Sequence, residues 1–144
     1  MIAVDTNILV YAHRADSPFH DGAKLALESL AVGPRLWVIP WPCVHEFFAV
    51  VTNPRIYKSV TPTDTVFAQL HALQSLANLA FIAEESGHLA QLESLAVPAK
   101  TQGGAIHDAR IAAICLSHGV VELWSADRDF SRFPALAVRN PLVG

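Results

Sequence analysis

Ile2-Ala3-Val4-Asp5-Thr6-Asn7-Ile8-Leu9-Val10-Tyr11-Ala12 begins as an apolar run, stops at three polar residues and resumes with helical spacing. Ile2 to Val4 reads as a strand, and Ile8, Leu9, Tyr11 and Ala12 share one face of a helix starting at Asp5-Thr6-Asn7. The same order recurs downstream. Leu36-Trp37-Val38-Ile39 is an uninterrupted apolar run flanked by Pro40, the pattern of a strand buried on both faces. A helix follows through Cys43 to Val51, closed by Asn53-Pro54. Leu79 to Ala83 is a further strand, and Ser86 to Leu95 a short helix capped by Ser86 or Gly87. Gly103-Gly104 opens a helix over Ile106 to Ser117 that His118-Gly119 stops. Val120 to Trp124 is a strand ending at Ser125-Ala126-Asp127, and Ala137-Val138 an edge strand. Strands alternating with helices imply right-handed crossovers. The expected fold class is α/β, one domain over 1–144 with a mostly parallel central sheet of about 4–5 strands and helices on both faces.

Two further helices complete the pattern. One runs from about Phe19 to Ala31, bounded by Asp16-Ser17-Pro18 and Gly33-Pro34. The other starts at Thr61-Pro62-Thr63-Asp64, where a hydroxyl at the N-cap, proline at the first helical position and an acid at N3 form a start signal. Thr65 to Ala83 is uncharged and approaches membrane-spanning length. Within it His71, Gln74, Ser75 and Asn78 fall at i, i+3, i+4 and i+7, one polar face, so the run reads as an amphipathic helix leading into a strand of a soluble protein.

The 144 residues carry 10 Lys+Arg against 13 Asp+Glu, a net charge of −3, and are 52% hydrophobic. A domain of this size buries roughly 70% of its unfolded surface, and a composition this apolar excludes disorder. The acidic balance also speaks against a simple basic nucleic-acid binder. Cys43 and Cys115, the 2 cysteines, fit neither a disulfide framework nor a C-x-x-C metal site and read as free buried thiols of a cytoplasmic protein. The N-terminus lacks the basic region and long apolar core of a signal peptide.

The acids carry the chemistry. In parallel sheets, ligands bind beyond the carboxyl ends of the strands. Asp5 ends the first strand, Asp127 follows the Val120–Trp124 strand, and Asp129 lies two residues on. Each alone could be a helix cap. On its helix Glu46 shares a face with Cys43, Ala49 and Val50, while Asp108 lines up with Ile111, Ala112 and Cys115. A carboxylate among apolar neighbours is costly unless it is paired or holds a cation. Arg110 or Arg128 could supply the pair, and the first-turn position of Asp108 suits the helix dipole. Capping and pairing explain any one of these acids better than they explain Asp5, Glu46, Asp108 and Asp127 together. An all-oxygen cluster selects Mg²⁺ or Mn²⁺ over Zn²⁺. It can serve one ion or a pair about 4 Å apart that clamps a phosphodiester.

At these residues the chain resembles the PIN-domain ribonucleases, and among them the VapC toxins of bacterial toxin–antitoxin modules. The matching elements are Val4-Asp5-Thr6-Asn7, Glu46 in the third helix, His107-Asp108-Ala109, Trp124-Ser125-Ala126-Asp127-Arg128-Asp129-Phe130, and a tail from Phe133-Pro134 to Asn140-Pro141. They stand in order along essentially the whole chain. The resemblance implies a PIN-like fold and an Mg²⁺- or Mn²⁺-dependent endoribonuclease. It implies Asp5, Glu46, Asp108 and Asp127 as the acidic quartet, with Asp129 as a fifth metal-binding acid. On this reading Asp5 and Asp108 ligate the principal ion, and Glu46 and Asp127 complete its shell or recruit a second. An activated water then attacks the scissile phosphate in line. Thr6 and Asn7 would orient Asp5 and cap its helix. Ser125, where the family usually has threonine, would keep the positioning hydroxyl, and Arg128 would flank the pocket toward substrate. The implied partners are RNA, a cognate antitoxin that lays basic side chains over the site, and a second copy in a homodimer, with no membrane.

Other readings fit less well. His45-Glu46 begins an H-E-x-x-H motif, but position 49 is alanine. A receiver-type domain needs a strand-end lysine, and Lys24, Lys58 and Lys100 are not so placed. Gly103-Gly104 lacks the G-K-[ST] of a phosphate loop. A PIN-fold RNA- or partner-binding protein with vestigial nuclease activity is the alternative, separated by whether RNA cleavage occurs and is lost with EDTA. Trp41, beside two prolines, is expected to be partly exposed and open to RNA or dimer contact. Setting the quartet aside leaves 10 basic against 9 acidic residues. With Arg128 and Arg132 at the pocket, and Arg14 and Arg110 near it, the charge balance becomes compatible with RNA met through cations.

Overall fold

Ile2–Val4 forms β1, and the chain turns at Asp5 directly into α1, Thr6–His13. In the computed structural model, which describes residues 1–143, β1 is the middle strand of the sheet. There follow α2 (His20–Val32), β2 (Trp37–Pro40), α3 (Trp41–Val51), α4 (Thr63–Gln74) and β3 (Leu79–Ile82). The second half holds α5 (His88–Ala96), α6 (Ile106–Ser117), β4 (Glu122–Trp124) and β5 (Val138–Arg139), with 3-10 turns at Gly103–Ala105 and Arg128–Arg132. The expected α/β class and the mostly parallel sheet are borne out. The sheet has 5 strands in the order β3-β2-β1-β4-β5, every pair parallel.

That order has a functional consequence. From β1 the chain walks outward through β2 to β3, then crosses back to β4 on the other side of β1. Right-handed crossovers in opposite directions place α1–α4 on one face and α5–α6 on the other. Between β1 and β4 the direction reverses, which is the switch point where parallel sheets bind ligands. Val4 pairs with Trp124, so the next residues, Asp5 and Ser125, emerge side by side.

The core explains why the strands are short and unbroken. β2 is buried along its whole length, and Trp37, Val38, Ile39, Val4 and Leu123 sit under the helices. In α6, Ala109, Ile111, Ala112, Ala113, Ile114 and Cys115 are all buried, so this helix lies flat on the sheet. Both thiols are free and buried, as expected. Among the described residues no helix is long and apolar enough to cross a membrane.

Several local expectations are corrected. Thr61 does not cap α4; the helix starts at Thr63 with Pro62 at the cap and no side-chain cap bond. The Thr61 hydroxyl is taken instead by His13 Nε2 at 3.0 Å and Arg14 at 3.4 Å, at the far end of α1. Ser75 and Asn78 lie beyond the end of α4, so the four polar positions do not share one helical face. Asn78 reaches the carbonyls of Leu30, Gly33 and Arg35 at 2.8, 3.0 and 3.1 Å and accepts from the Trp37 indole. A polar side chain is thus the clamp between α2 and the start of β2. β4 begins at Glu122 rather than Val120 because Val120 completes the C-terminal cap of α6. Its N–H bonds Cys115 O and that of Gly119 bonds Leu116 O, a Schellman closure that requires the φ of +71° at Gly119.

Candidate active site

Asp5 is only 5% exposed, which for an acid demands partners. It caps α1 by accepting from the Thr6 N–H at 2.8 Å. Its Oδ1 also receives the Cys43 thiol at 3.5 Å. Its Oδ2 accepts from Ser125 Oγ at 2.7 Å and Asn7 Nδ2 at 3.2 Å. Ser125 is a hub: having given its proton to Asp5, it accepts from the Asp127 N–H at 3.0 Å and from Asn7. Asn7 Oδ1 accepts from the Ala126 N–H at 3.0 Å. These bonds staple the start of α1 to the loop after β4. Asp127 then caps the following 3-10 turn by accepting from the Asp129 N–H at 2.8 Å.

Carboxylate oxygens of Asp108, Asp127 and Asp129 lie within 4.8 Å of one another. Asp108 arrives from the first turn of α6, the other two from the loop after β4. Asp5 lies outside this tight trio but close enough to feel Asp127. Glu46 comes from α3 and interacts with Asp5 and Asp127 through space. Its predicted apolar setting is corrected. The buried face of α3 is Cys43, Val44, Phe47 and Val51, which leaves Glu46 and Ala49 exposed at its margin.

The electrostatics follow from this crowding. Burial raises the pKa of Asp5, opposed by its hydrogen bonds, Ser125 first. Partial desolvation of its carboxyl at the rim and then the Asp5 charge raise Glu46. Asp108 is pushed up to about 6, by burial first and then by the charges of Asp127, Asp5, Asp129 and Glu46. Among the described residues no lysine or arginine forms an ion pair with Asp5, Glu46, Asp108 or Asp127. Arg132 meets Asp129 at 3.5 Å. The pairing expected of Arg110 goes instead to Glu84, at 3.1 Å, and Arg128 is exposed. Arg14 is not near the site; it sits past the far end of α1, bound to Asp16 at 2.7 Å and stacked over Tyr57.

One feature escaped the sequence reading, and one named residue acts through a different group. The Cys43 thiol lies under Asp5 and is held protonated, its pKa raised by burial and by the Asp5 charge. The signal was its position one turn before Glu46 on a helix that packs against α1. The Thr6 hydroxyl does not touch Asp5, which is bound by the Thr6 backbone N–H. It is buried with no hydrogen-bond partner, turned toward Cys43 and Glu46.

An all-carboxylate, cation-poor cluster at the switch point of a parallel sheet has the donor chemistry for a hard divalent cation, and these residues fit one. The PIN domain family model matches residues 2–136, and the chain belongs to that family. Among its relatives, Ribonuclease VapC43 of Mycobacterium tuberculosis is 35% identical over 144 residues, covering 100% of this chain and 97% of the relative. Ribonuclease VapC48 of the same organism is 31% identical over 140 residues, covering 97% of each. In fold, the chain is similar to VapBC2 from Rickettsia felis, solved bound to a promoter DNA fragment. That match has a TM-score of 0.71 at 23% identity and covers 97% of this chain and 98% of the other.

Proposed function

We propose that this chain is a VapC-type toxin, an endoribonuclease that cuts RNA with Mg²⁺ or Mn²⁺ and is held in check by a cognate antitoxin. The observation that carries the reading is the carboxylate trio of Asp108, Asp127 and Asp129, backed by Asp5 and Glu46 with scarcely a cation among them. Names of full-length relatives support the reaction class. Asp108, Asp127 and Asp129 would hold the ion, with Asp5 and Glu46 completing the acidic wall directly or through water. A divalent ion there would make a water nucleophilic at neutral pH and neutralise charge on the scissile phosphate.

The protein's own groups do the rest. Ser125, Asn7 and the Thr6 N–H fix both oxygens of Asp5, so its geometry is set before substrate arrives. On this reading a carboxylate of the acidic wall, such as Glu46 exposed at its rim, would take up a proton from the attacking water. Arg128, exposed beside Asp127, offers charge to an RNA phosphate. The reading extends to residues 1–144 as one PIN domain, a homodimer and a cytoplasmic setting.

The test is cleavage of a panel of structured RNAs by antitoxin-free protein. Cleavage should require Mg²⁺ or Mn²⁺, stop with EDTA, and be lost in Asp5→Asn and Asp108→Asn variants that still fold. RNA bound but never cut would favour the binding-protein alternative. Full activity in both variants would sink the site assignment.

A further inference from the structure

We propose that the cleft between the N-terminal turns of α3 and α6 seats one unstacked nucleotide of single-stranded RNA beside the bond being cut, with the His45 ring as its stacking platform. The inference rests on the ribonuclease reading and adds where the strand lies. The cleft has a volume of about 420 Å³, within the range of pockets that take small ligands. Glu46 and Asp108 are both in its lining, so an occupant lies against two of the clustered acids. Pro42, His45, Gly104, His107, Arg110 and Ile111 line the rest.

His45 is exposed yet held in place. Its ring stacks on Trp41, with centroids 6.2 Å apart and planes 26° apart. Trp41 in turn stacks on Phe81 of β3 at 4.9 Å and 26°. Spacing of i, i+4 on α3 puts Trp41 and His45 on one face, and Phe81 anchors both to the sheet. A platform ordered before binding loses little freedom when a base arrives. Such rings accept any base face, but only from a strand whose bases are unpaired. Gly104 keeps the opposite wall low. A Cβ there would meet nothing within 4 Å, and its φ lies outside the left-handed range. A larger residue at 104 would therefore fill the cleft without straining the backbone.

The experiment uses a single-stranded RNA pentanucleotide with phosphorothioate linkages to slow cleavage, its duplex as control, and Mg²⁺ throughout. Imidazole NMR signals of His45 and His107 should move with the single strand and stay still with the duplex. Gly104→Leu and His45→Ala should each weaken binding about tenfold, the scale of losing one base–aromatic stack. They should raise KM for RNA more than they lower kcat. The melting-temperature rise with Mg²⁺ should be unchanged in both, showing fold and acids intact. Unchanged affinity and KM in both variants, while the wild type cleaves, overturn the subsite alone. A shift in oligomeric state with unchanged RNA binding assigns the ring strip to a second copy and also overturns it. If the wild type cuts no RNA, the ribonuclease reading fails, and the NMR titration still decides whether the cleft takes a nucleotide.

Discussion

Asp108→Asn should make the metal-free protein more stable while abolishing cleavage. In the folded chain the Asp108 carboxyl is moved from 3.8 to about 6, which at about 1.36 kcal/mol per pH unit is a cost of about 3 kcal/mol when ionised. Partial access to water and salt screening reduce this to about 1.5 kcal/mol. Against it stands the favourable first-turn dipole interaction that asparagine gives up, about 0.5 kcal/mol. The net gain is about 1 kcal/mol, or roughly 3 °C in Tm for a domain of this size. The folded-state value is raised, so the cost is full above about pH 6 and gone below the unfolded value near 3.8. Scanning calorimetry in EDTA should therefore show the variant ahead at pH 7.5 and its advantage closing by pH 4. At ten times its Kd magnesium stabilises the wild type by about 1.4 kcal/mol, which overtakes the variant's lead of about 1 kcal/mol as long as the variant gains less than about 0.4 kcal/mol. Equal or lower Tm for the variant in EDTA at pH 7.5, or an advantage independent of pH, would refute the repulsion argument.

Other perturbations probe separate parts of the structure. Ser125→Ala strips a charge-assisted hydrogen bond from buried Asp5 and should lower kcat at least tenfold, whereas Ser125→Thr keeps the hydroxyl and should retain activity; equal kcat for alanine and wild type would remove Ser125 from the positioning of Asp5. Gly119→Ala forces a side chain into a φ of +71° and should cost about 1 kcal/mol in urea unfolding, with RNA cleavage unaffected. Asn78→Ala orphans the carbonyls of Leu30, Gly33 and Arg35 and the Trp37 indole, and should lower stability by about 2 kcal/mol; a loss under 0.5 kcal/mol on the same ~kcal scale would show that water replaces the clamp.

Much of the fold was legible because its signals are local. Apolar runs of two to five residues alternating with helical spacing mark five strands and six helices close to their true positions, and Asp5 at the end of β1 marks the site. Boundaries failed where a residue had two competing partners. Thr61 has every property of an N-cap, yet its hydroxyl bonds to His13 and Arg14 across 47 residues or more of chain. Val120 has the character of a strand residue, but its N–H closes the cap of α6. No local pattern ranks such alternatives.

The sequence by itself determined the class of the protein: an α/β chain whose acids sit at strand ends and helix starts, in the order of the PIN family. Those properties live in residue type and spacing, and a strand end is a strand end wherever the strand is placed. Only the tertiary structure decided which carboxylates share a cation's reach. The register of Val4 against Trp124 brings the loop after β4 beside Asp5, and the packing of α6 on the sheet carries Asp108 to that loop. Asp129 thereby joins the tight trio, Asp5 is held beneath it by Ser125 and Cys43, and Arg14, attractive in sequence, is a helix length away. Coulomb and hydrogen-bond energies depend on distances of a few ångströms, and those distances are set by strand order and crossover, which no stretch of sequence contains alone.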